Sequence, residues 1–351
     1  MFPPSRSTGS STEDSAVRST DSDALLSRIS AAKQGYLVDS FAPLFLTPAQ
    51  RRSTERRPPL INIGTHARTW AVDELVDQFV RSEKPESDGG KVQVLNLGAG
   101  TDTRFWRMRK RWSELEGEES WPVRKWVEVD FPEATSTKAR TIATKAELKG
   151  ALGGDVKIEQ GGLGLTSPLY ALLPGDLRNL EPLTTALLSP STSSPSTPPL
   201  LDPSLPTLLL LECVLVYLAP TKTRELLSFF SSTFKNGCVI SYDPFGLDDS
   251  FGQVMKRNLA MRGLTLPGAD STPSLASLTS RLKDAGFAGS NEAMSIKQIR
   301  ESIIPSEELE RVNKIEQIDE VEELNLVLDH YAVVWGRVSL EGVPRIGLKQ
   351  R

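Results

Sequence analysis

The sequence predicts an α/β fold in which helices cover both faces of a doubly wound, mostly parallel β-sheet. Apolar runs that resemble strands alternate with helical segments along most of the chain, which is typical of such a sheet. The run Leu205–Pro220 is almost wholly apolar, as a strand covered on both faces should be. The run Val94–Leu97 enters Gly98-Ala99-Gly100 directly, and this pattern predicts a buried parallel strand that turns sharply into a helix.

The N-terminal part of the chain is predicted to contain a disordered tail followed by helices. Residues 1–23 are rich in Ser, Thr, Asp and Pro, and they carry too few large apolar side chains to offset their ordering entropy by burial. Asp23 can cap a helix that begins near Ala24. Apolar side chains at helical spacing predict a second helix over residues 69–81, and residues 82–90 then break the chain before the first strand.

Four more strands are predicted beyond the first one, with helices between them. The strands span Lys125–Pro132, Leu169–Leu180 (ending near Asp176), Leu205–Pro220 and Cys238–Gly246. Helices are predicted over Glu133–Leu148 and Thr221–Phe234. The segments Asn291–Ile296 and His330–Val338 are expected to pair as an antiparallel, hairpin-like edge.

The length of 351 residues allows one large domain with insertions or two modest ones, and we expect residues 24–351 to form a single domain. The Ser/Pro-rich stretch 189–206 is expected to be a flexible insertion between the third and fourth strands. Segments 23–81 and 245–315 are expected to lie outside the sheet and to form a lid that admits a substrate.

The composition favours a soluble protein of the cytoplasm that binds neither nucleic acid nor a membrane. The chain has 351 residues, with 41 Lys and Arg against 45 Asp and Glu, so its net charge of −4 offers no basic field to nucleic acid. Cys213 and Cys238 are too few for a disulfide framework, which fits a reducing compartment. No apolar stretch is long enough to span a bilayer, and the N-terminus lacks the apolar core of a secretory signal.

The turn at Gly98-Ala99-Gly100 is the strongest indication of a ligand site. Because glycine has no Cβ, a ligand can lie directly against the backbone there. Dinucleotide-binding turns carry a third glycine, but Thr103 holds that position here, which argues against a pyrophosphate and against an NAD-dependent oxidoreductase. The pattern suits a nucleoside cofactor without phosphates, such as S-adenosylmethionine. The alternative is a tight turn without any ligand.

Acidic residues close three of the predicted strands, at the edge where open α/β sheets bind their ligands. Asp130 is placed to accept hydrogen bonds from vicinal ribose hydroxyls, and Asp176 with Leu177 is placed to contact the adenine amine. Glu212 follows four leucines and is placed to face an ammonium or sulfonium charge. The alternatives are a helix cap for Asp130, a turn residue for Asp176 and a buried, paired structural acid for Glu212. Taken together with the glycine turn, the three acids favour a ligand.

Other classes of active site find little support in the sequence. His66 and His330 are the only histidines, and no metal-binding spacing of histidine and cysteine occurs, so no metal is expected. No G-x-S-x-G motif is present, and no histidine is placed to activate Cys213 as a nucleophile. The basic run 107–111 is expected to form a solvated helix face.

Several motifs together are similar to those of one known family. They are INIGTHART (61–69), VLNLGAGTDTRFWRM (94–108), VEVDFPEAT (127–135), PGDLRNL (174–180), LLLLECVLVYL (208–218), FGQVMKRNLAMRG (251–263) and EQIDEVEELNLVLDHYAVVWG (316–336). On these motifs the chain resembles the leucine carboxyl methyltransferases, the protein phosphatase methyltransferases of eukaryotes, from about residue 23 to residue 338. The combination of NLGAGTDTRFWR with ECVLVYL is specific to that family.

The resemblance implies a class I S-adenosylmethionine-dependent methyltransferase that acts on the C-terminal leucine α-carboxylate of the type 2A protein phosphatase catalytic subunit. That subunit is the implied partner, and we expect the chain to be a monomer. Carried over by motif, the cofactor-binding residues are Arg68 at the methionine carboxylate, Gly98 (with Gly100) beneath the methionine moiety, Asp130 at the ribose, Asp176 and Leu177 at the adenine, and Glu212 at the methionyl group.

The chain departs from the family pattern at one loop. Ile63 stands where the family usually has arginine, so any role of that arginine is absent or moved. Thr65 and His66 stand where the family often has aromatic residues, which changes the expected packing of this segment.

The implied reaction asks for positioning rather than acid–base catalysis, because a terminal carboxylate with a pKa of about 3.5 is already ionised at neutral pH. Tyr217 is the candidate catalytic residue, as a hydroxyl that orients the attacking oxygen, and a tyrosine that only packs is the alternative. Two other functions stay open. One is the related transfer RNA methyltransferase of the wybutosine pathway, against which the acidic balance argues. The other is a catalytically silent phosphatase-binding protein, against which the intact motif residues argue.

Overall fold

A computed structural model describes residues 8–52, 55–82, 92–190 and 198–350. Within these residues the strands form a single nine-stranded mixed sheet with the order β3-β4-β5-β2-β1-β6-β7-β9-β8. The strands are β1 (Val92–Leu97), β2 (Val123–Asp130), β3 (Lys157–Glu159), β4 (Gly164–Thr166), β5 (Tyr170–Pro174), β6 (Thr207–Glu212), β7 (Gly237–Pro244), β8 (Asn291–Ser295) and β9 (Tyr331–Arg337).

The helices lie between the strands and before the first of them. They are α1 (Thr8–Gln34), α2 (Pro48–Arg52), α3 (Pro59–Arg81), α4 (Arg104–Glu116), α5 (Pro132–Thr144), α6 (Ala146–Gly150), α7 (Leu180–Leu188), α8 (Pro220–Thr233), α9 (Ser250–Ala260), α10 (Leu275–Asp284), α11 (Ile296–Ser302), α12 (Ser306–Asn313) and α13 (Val321–Asp329). A 3₁₀ turn, Leu215–Tyr217, follows β6. None of the described helices is long and apolar enough to cross a membrane.

The predicted α/β fold class is confirmed. The five central strands, β5-β2-β1-β6-β7, are parallel, and β9 and β8 form the predicted antiparallel edge. Along β6, Leu208 and Leu210 face the core cluster that includes α3, whereas Leu209 and Leu211 face the cluster that includes α8. This alternation explains why the run is apolar at every position, since helices cover both faces.

The register of the sheet brings the predicted site residues to a single edge. Leu97 at the end of β1 pairs with Val129 of β2 and with Leu211 of β6. The residues that follow these three, including Asp130 and Glu212, therefore emerge side by side at the carboxyl ends of adjacent parallel strands.

Helix α1 begins much earlier than the sequence predicted. Residues 8–23 were expected to be disordered, but in the structure they are helical and continue without a break to Gln34, while residues 1–7 lie outside the described part. The segment has no strong apolar stripe, and polar contacts hold it instead. Arg178 donates two hydrogen bonds to Asp14, and Thr101 donates two to Asp21. Such long-range contacts are not visible in local composition.

The predicted lid is wrong for most of its length. Helix α3 packs against β7 and β9 as part of the main core, and β8 (within residues 245–315) is an edge strand of the sheet. Both segments carry apolar side chains that are buried against the sheet rather than exposed above it. Of the N-terminal segment, α1 and α3 both border the site.

Two further features differ from the prediction. The edge strands β3 and β4 were not predicted, because they are three residues long and β3 is largely polar. Residues 191–197 of the predicted flexible insertion lie outside the described part, but its second half is anchored: Leu201 is buried, and Gln93 exchanges hydrogen bonds with the backbone of Asp202. The division into domains stays a prediction.

Candidate active site

A cavity of about 580 Å³ opens at the carboxyl ends of the parallel strands. Helix α1 covers one side of it, and α3, the glycine turn after β1 and the loops after β2, β5 and β6 form the rest. All of the predicted site residues line this cavity: Arg68, Gly98, Gly100, Asp130, Asp176, Leu177, Glu212 and Tyr217. The geometry thus brings them together, while the roles assigned to them stay predictions.

The glycines of the turn are required by the packing of the protein itself. Gly98 and Gly100 have φ angles of 65° and 43°, which favour glycine. A Cβ on Gly98 would lie 2.5 Å from Cγ2 of Val214, and a Cβ on Gly100 would collide with Oδ1 of Asp21. Because these glycines lack side chains, the loop after β6 and helix α1 can pack directly against the turn. The turn also borders the cavity.

Asp130 is tied to the glycine turn by its side chain. Oδ2 accepts a hydrogen bond of 2.7 Å from the Gly100 N–H, and Oδ1 accepts one of 2.7 Å from the Phe131 N–H. The N-cap of α5 is Phe131 and makes no side-chain cap, so the alternative of a helix cap finds no support. Burial raises the pKa of Asp130 above its ordinary value, although the two N–H donors oppose the shift.

Asp176 makes its strongest contacts with its own loop. The backbone and guanidinium of Arg178 both donate to its carboxylate. Burial alone would raise the pKa of Asp176, but the Arg178 hydrogen bonds outweigh it and hold the pKa low. Asp176 therefore does act as a turn residue, which was the alternative to a ligand contact. Asp176 and Leu177 still line the cavity beside it.

Glu212 lies between two arginines. Its Oε2 accepts a hydrogen bond of 2.7 Å from Nε of Arg68, and its Oε1 is 2.7 Å from Nη1 of Arg104. Despite the effect of burial, Arg104 and Arg68 lower the pKa of Glu212. The Arg68 guanidinium also lies over the Tyr242 ring, at 4.4 Å from its centroid. Glu212 is thus a buried, paired acid that also faces the cavity.

The ion pairs beneath the cavity were not predicted from the sequence. Arg104 is fully buried and joins Glu212 to Asp102 and Asp73, and Asp73 in turn pairs with Arg107. The prediction that residues 107–111 form a solvated face is wrong for Arg107, whose side chain is 13% exposed. A signal was available, because Arg104 starts the helix directly after the glycine turn.

Asp21 was also missed, because it lies in the segment predicted to be disordered. Its Oδ1 accepts hydrogen bonds of 2.8 Å from both the N–H and the hydroxyl of Thr101. Burial raises the pKa of its carboxyl group, in part offset by these donors. Asp21 therefore fastens α1 to the turn that borders the cavity.

Tyr217 lies at the end of the 3₁₀ turn, close to Thr20 of α1, and burial raises the pKa of its hydroxyl. Cys213 begins the same loop, and burial raises its thiol pKa to about 12, so it is not a thiolate nucleophile at neutral pH. Neither histidine lines the cavity. His66 bonds Glu308, and His330 bonds Asp249. The described residues contain no cluster of His, Cys, Asp and Glu that could hold a metal ion.

Comparison with known proteins identifies the family. A family model described as leucine carboxyl methyltransferase matches residues 16–231. The chain belongs to this family. Leucine carboxyl methyltransferase 1 of Cryptococcus neoformans is 43% identical over 92% of this chain and 93% of its own. The Aspergillus fumigatus and Bos taurus proteins of the same name are 38% and 33% identical, over 96% and 97% of this chain and 86% and 94% of theirs.

Among solved structures, a geranyl diphosphate methyltransferase aligns with 93% of this chain and 98% of its own. The TM-score is 0.45 at 8% sequence identity, a likeness too distant to bear on activity. The family assignment therefore comes from the sequence relatives, and it confirms the resemblance found in the motifs.

As a member of this family the chain is a methyltransferase, and S-adenosylmethionine is its methyl donor. The cavity residues fit that cofactor. Acidic side chains outnumber arginines in the lining, which suits a sulfonium cation. Arg68 and Glu212 offer both signs of charge to an amino acid moiety. Asp130, which forms no ion pair among the residues that the structure describes, suits a ribose diol.

Proposed function

We propose that this methyltransferase modifies the α-carboxylate of the C-terminal leucine of the type 2A protein phosphatase catalytic subunit. The observation that carries the proposal is family membership combined with a cavity lined by every motif residue of the family's cofactor site. The relatives that match almost the whole chain bear the name leucine carboxyl methyltransferase 1.

The chemistry of such a substrate agrees with the residues around the cavity. A terminal carboxylate has a pKa of about 3.5 and is its own nucleophile at neutral pH, so it needs no general base. This requirement matches a lining that holds no histidine among the described residues. The bound cofactor supplies an activated methyl group on a sulfonium, and opposite charges are neutralised as the methyl group moves. A dry cavity favours that neutralisation.

The protein would then contribute binding and orientation. Arg68 and Glu212 hold the methionyl end, where the buried Arg104 keeps Glu212 ionised and fixed. Asp130 holds the ribose, and Asp176 with Leu177 borders the adenine. Correct alignment of reacting groups is worth roughly 7–11 kcal/mol of the barrier, which is enough to make positioning the main catalytic effect.

Tyr217 is the proposed orienting hydroxyl for the attacking carboxylate. It lines the cavity next to Leu218 and Pro267, which supply apolar surface for a leucine side chain. Its elevated pKa keeps the hydroxyl protonated, so it can donate a hydrogen bond to a carboxylate oxygen.

We further propose that the enzyme works as a monomer in the cytoplasm and contacts the phosphatase subunit through its C-terminal tail and its active-site face. Two free cysteines, one buried and one half-buried, agree with a reducing compartment. The net charge of −4 offers no general attraction to nucleic acid.

A radiolabelled methyl-transfer assay on the purified phosphatase subunit tests the proposal. Wild-type protein should label the intact subunit and leave a subunit without its terminal leucine unlabelled. Arg68→Ala and Asp130→Ala should each reduce labelling at least about 10-fold, because each removes a charged hydrogen-bonding group from the cofactor site. Asp284→Asn, an exposed acid on α10, is the control and should label normally. Equal labelling of the truncated subunit would refute the assigned substrate.

A further inference from the structure

We propose that Asp243 is a positioning residue that fixes the loop Cys213–Tyr217 at the substrate end of the cavity, with Arg281 as its charge partner. The inference rests on the proposed function in one respect: Tyr217, at the end of this loop, is taken to face the methyl acceptor. It concerns two residues on β7 and α10 that belong to none of the motifs in which the cofactor residues lie.

The loop between β6 and α8 has an unusual backbone. Cys213 has a positive φ of 55°, which a residue with a side chain adopts only when its surroundings hold it there. The next residue, Val214, packs against Gly98, and the 3₁₀ turn then carries Tyr217 into the cavity. Small movements of this loop would therefore displace the Tyr217 hydroxyl.

Asp243 holds the loop from a neighbouring strand. Its side chain is 2% exposed, and Oδ1 accepts a hydrogen bond of 3.3 Å from the Val216 N–H. The backbone N–H groups of Val214 and Leu215 also face this carboxylate and lower its pKa, which opposes the effect of burial. The N-cap residue of the 3₁₀ turn, Val214, has no side chain that can cap it. Asp243 thus does from β7 what a capping residue does within a helix.

Arg281 balances the buried charge without a hydrogen bond of normal length. Its Nη2 lies 3.6 Å from Oδ2 of Asp243, and its side chain is 13% exposed. Within the described residues, neither Oδ2 of Asp243 nor Nε and Nη2 of Arg281 has a hydrogen-bond partner. The carboxylate is therefore oriented by the loop and not by the arginine. A buried charge without a counterion is costly, so Arg281 keeps Asp243 ionised.

The cofactor end of the cavity has contacts of its own, although Val214 of the loop also packs against Gly98. Glu212 is fixed by Arg68 and Arg104, neither of which contacts Asp243. Loosening the loop should therefore affect orientation of the methyl acceptor much more than affinity for the cofactor. A loss of kcat without a matching loss of cofactor affinity would distinguish a positioning role from a general contribution to the fold.

The experiment compares Asp243→Ala, Asp243→Asn and Arg281→Met with wild type. Asp243→Ala should lower kcat about 10- to 100-fold, as expected for a misplaced reacting group, while the Kd for S-adenosylmethionine by calorimetry changes less than about 3-fold. Asp243→Asn keeps an acceptor oxygen and should recover most of kcat. Arg281→Met leaves the loop hydrogen bonds in place and should lower kcat less than Asp243→Ala does.

Asp249→Asn is the matched control. Asp249 caps α9 by accepting a hydrogen bond of 2.8 Å from the Gly252 N–H, but it does not line the cavity. This variant should keep wild-type kcat. Hydrogen exchange of the segment 213–218 adds a readout that needs no substrate: Asp243→Ala should exchange faster there, and Asp249→Asn should not.

Three results would overturn the role proposed for Asp243. Unchanged kcat and unchanged exchange in Asp243→Ala would overturn the inference, and so would an Asp243→Asn protein that fails to fold, because Asp243 would then serve the whole fold. A parallel loss of kcat and cofactor affinity would overturn it as well. If wild type labels no phosphatase subunit while Asp243→Ala still loosens the loop, the proposed function fails and the positioning role of Asp243 stands.

Discussion

The buried carboxylates at the cavity differ in what neutralises them. Asp102 and Glu212 face arginines, which hold their pKa values low despite burial. Asp21 and Asp130 face backbone N–H groups and a hydroxyl, and burial raises their pKa. An acid that forms no ion pair among the described residues keeps a demand for hydrogen-bond donors, which a ribose diol can satisfy. We therefore expect Asp130 to be available to the cofactor, whereas Asp21 also holds α1 to the glycine turn.

Asp243 leads to a pH prediction at the scale of a single residue. Burial raises its pKa from 3.8 to about 6, so the folded state binds a proton more tightly than the unfolded state. Its titration therefore stabilises the fold fully below pH 3.8, and this contribution is lost as the pH rises through about 6. No other group that faces it changes its protonation state in that range. Arg281 stays charged, and Cys213, Tyr217 and Tyr331 stay neutral.

The measurement is the free energy of unfolding of wild type and of Asp243→Asn at about pH 4.5 and about pH 7.5. The variant cannot titrate at this position. From about pH 4.5 to about pH 7.5 the free energy of unfolding of wild type should therefore fall by about 2 kcal/mol relative to that of the variant. The exposed-site variant Asp284→Asn provides the baseline. A difference between Asp243→Asn and wild type that does not change with pH would mean that Asp243 titrates normally.

Among the elements, α1 owes its position to polar contacts along its length together with Leu25 and Ile29, which are buried in the core. Asp14 reaches Arg178 beyond β5, Asp21 reaches the turn after β1, and Arg28 pairs with Asp39. Asp14 and Asp21 thus bind different parts of the cavity wall. The helix therefore links the adenine side to the glycine turn, and its docking should respond to the loss of a single carboxylate.

Asp21→Ala tests this docking. It leaves the N–H and hydroxyl of Thr101 without their acceptor, so the free energy of unfolding should fall by about 1–3 kcal/mol, and limited proteolysis should cut α1 faster than in wild type. Asp23→Ala, two residues along the helix, removes only half-exposed ion pairs to Arg57 and Arg262 and should change little. Equal proteolysis of the two variants would show that Asp21 does not hold the helix.

At the scale of the whole molecule, local pattern predicted the central sheet well. β1 and β7 are buried along their whole lengths and β6 up to Leu211, so their apolar composition alone identifies them. The start of α1 and the hairpin β3–β4 could not be predicted in this way. The residues of α1 up to Asp23 are largely polar and are held by partners far away in the sequence, whereas β3 and β4 are only three residues long each and pair with each other locally.

The same distinction applies to the site. Residues that end strands, such as Asp130 of β2 and Glu212 of β6, were predicted because topology gathers strand ends at one edge. Arg104, Asp73 and Asp21 were missed because their importance comes from pairing across elements, and a lone charged residue in a helix usually indicates a solvated face. Only the folded arrangement shows which charges are buried together.

Cofactor binding should stabilise the whole molecule, because the cavity is built from α1, α3 and the ends of the central strands. At about 100 times its Kd, S-adenosylmethionine should raise the free energy of unfolding of wild type by about 2.7 kcal/mol. Asp130→Asn exchanges a carboxylate acceptor for an amide, which should weaken binding about 10-fold and reduce the rise to about 1.4 kcal/mol at the same concentration. Asp284→Asn should behave as wild type does. Denaturant unfolding with and without the cofactor measures each value, and an equal rise in Asp130→Asn would remove Asp130 from the cofactor site.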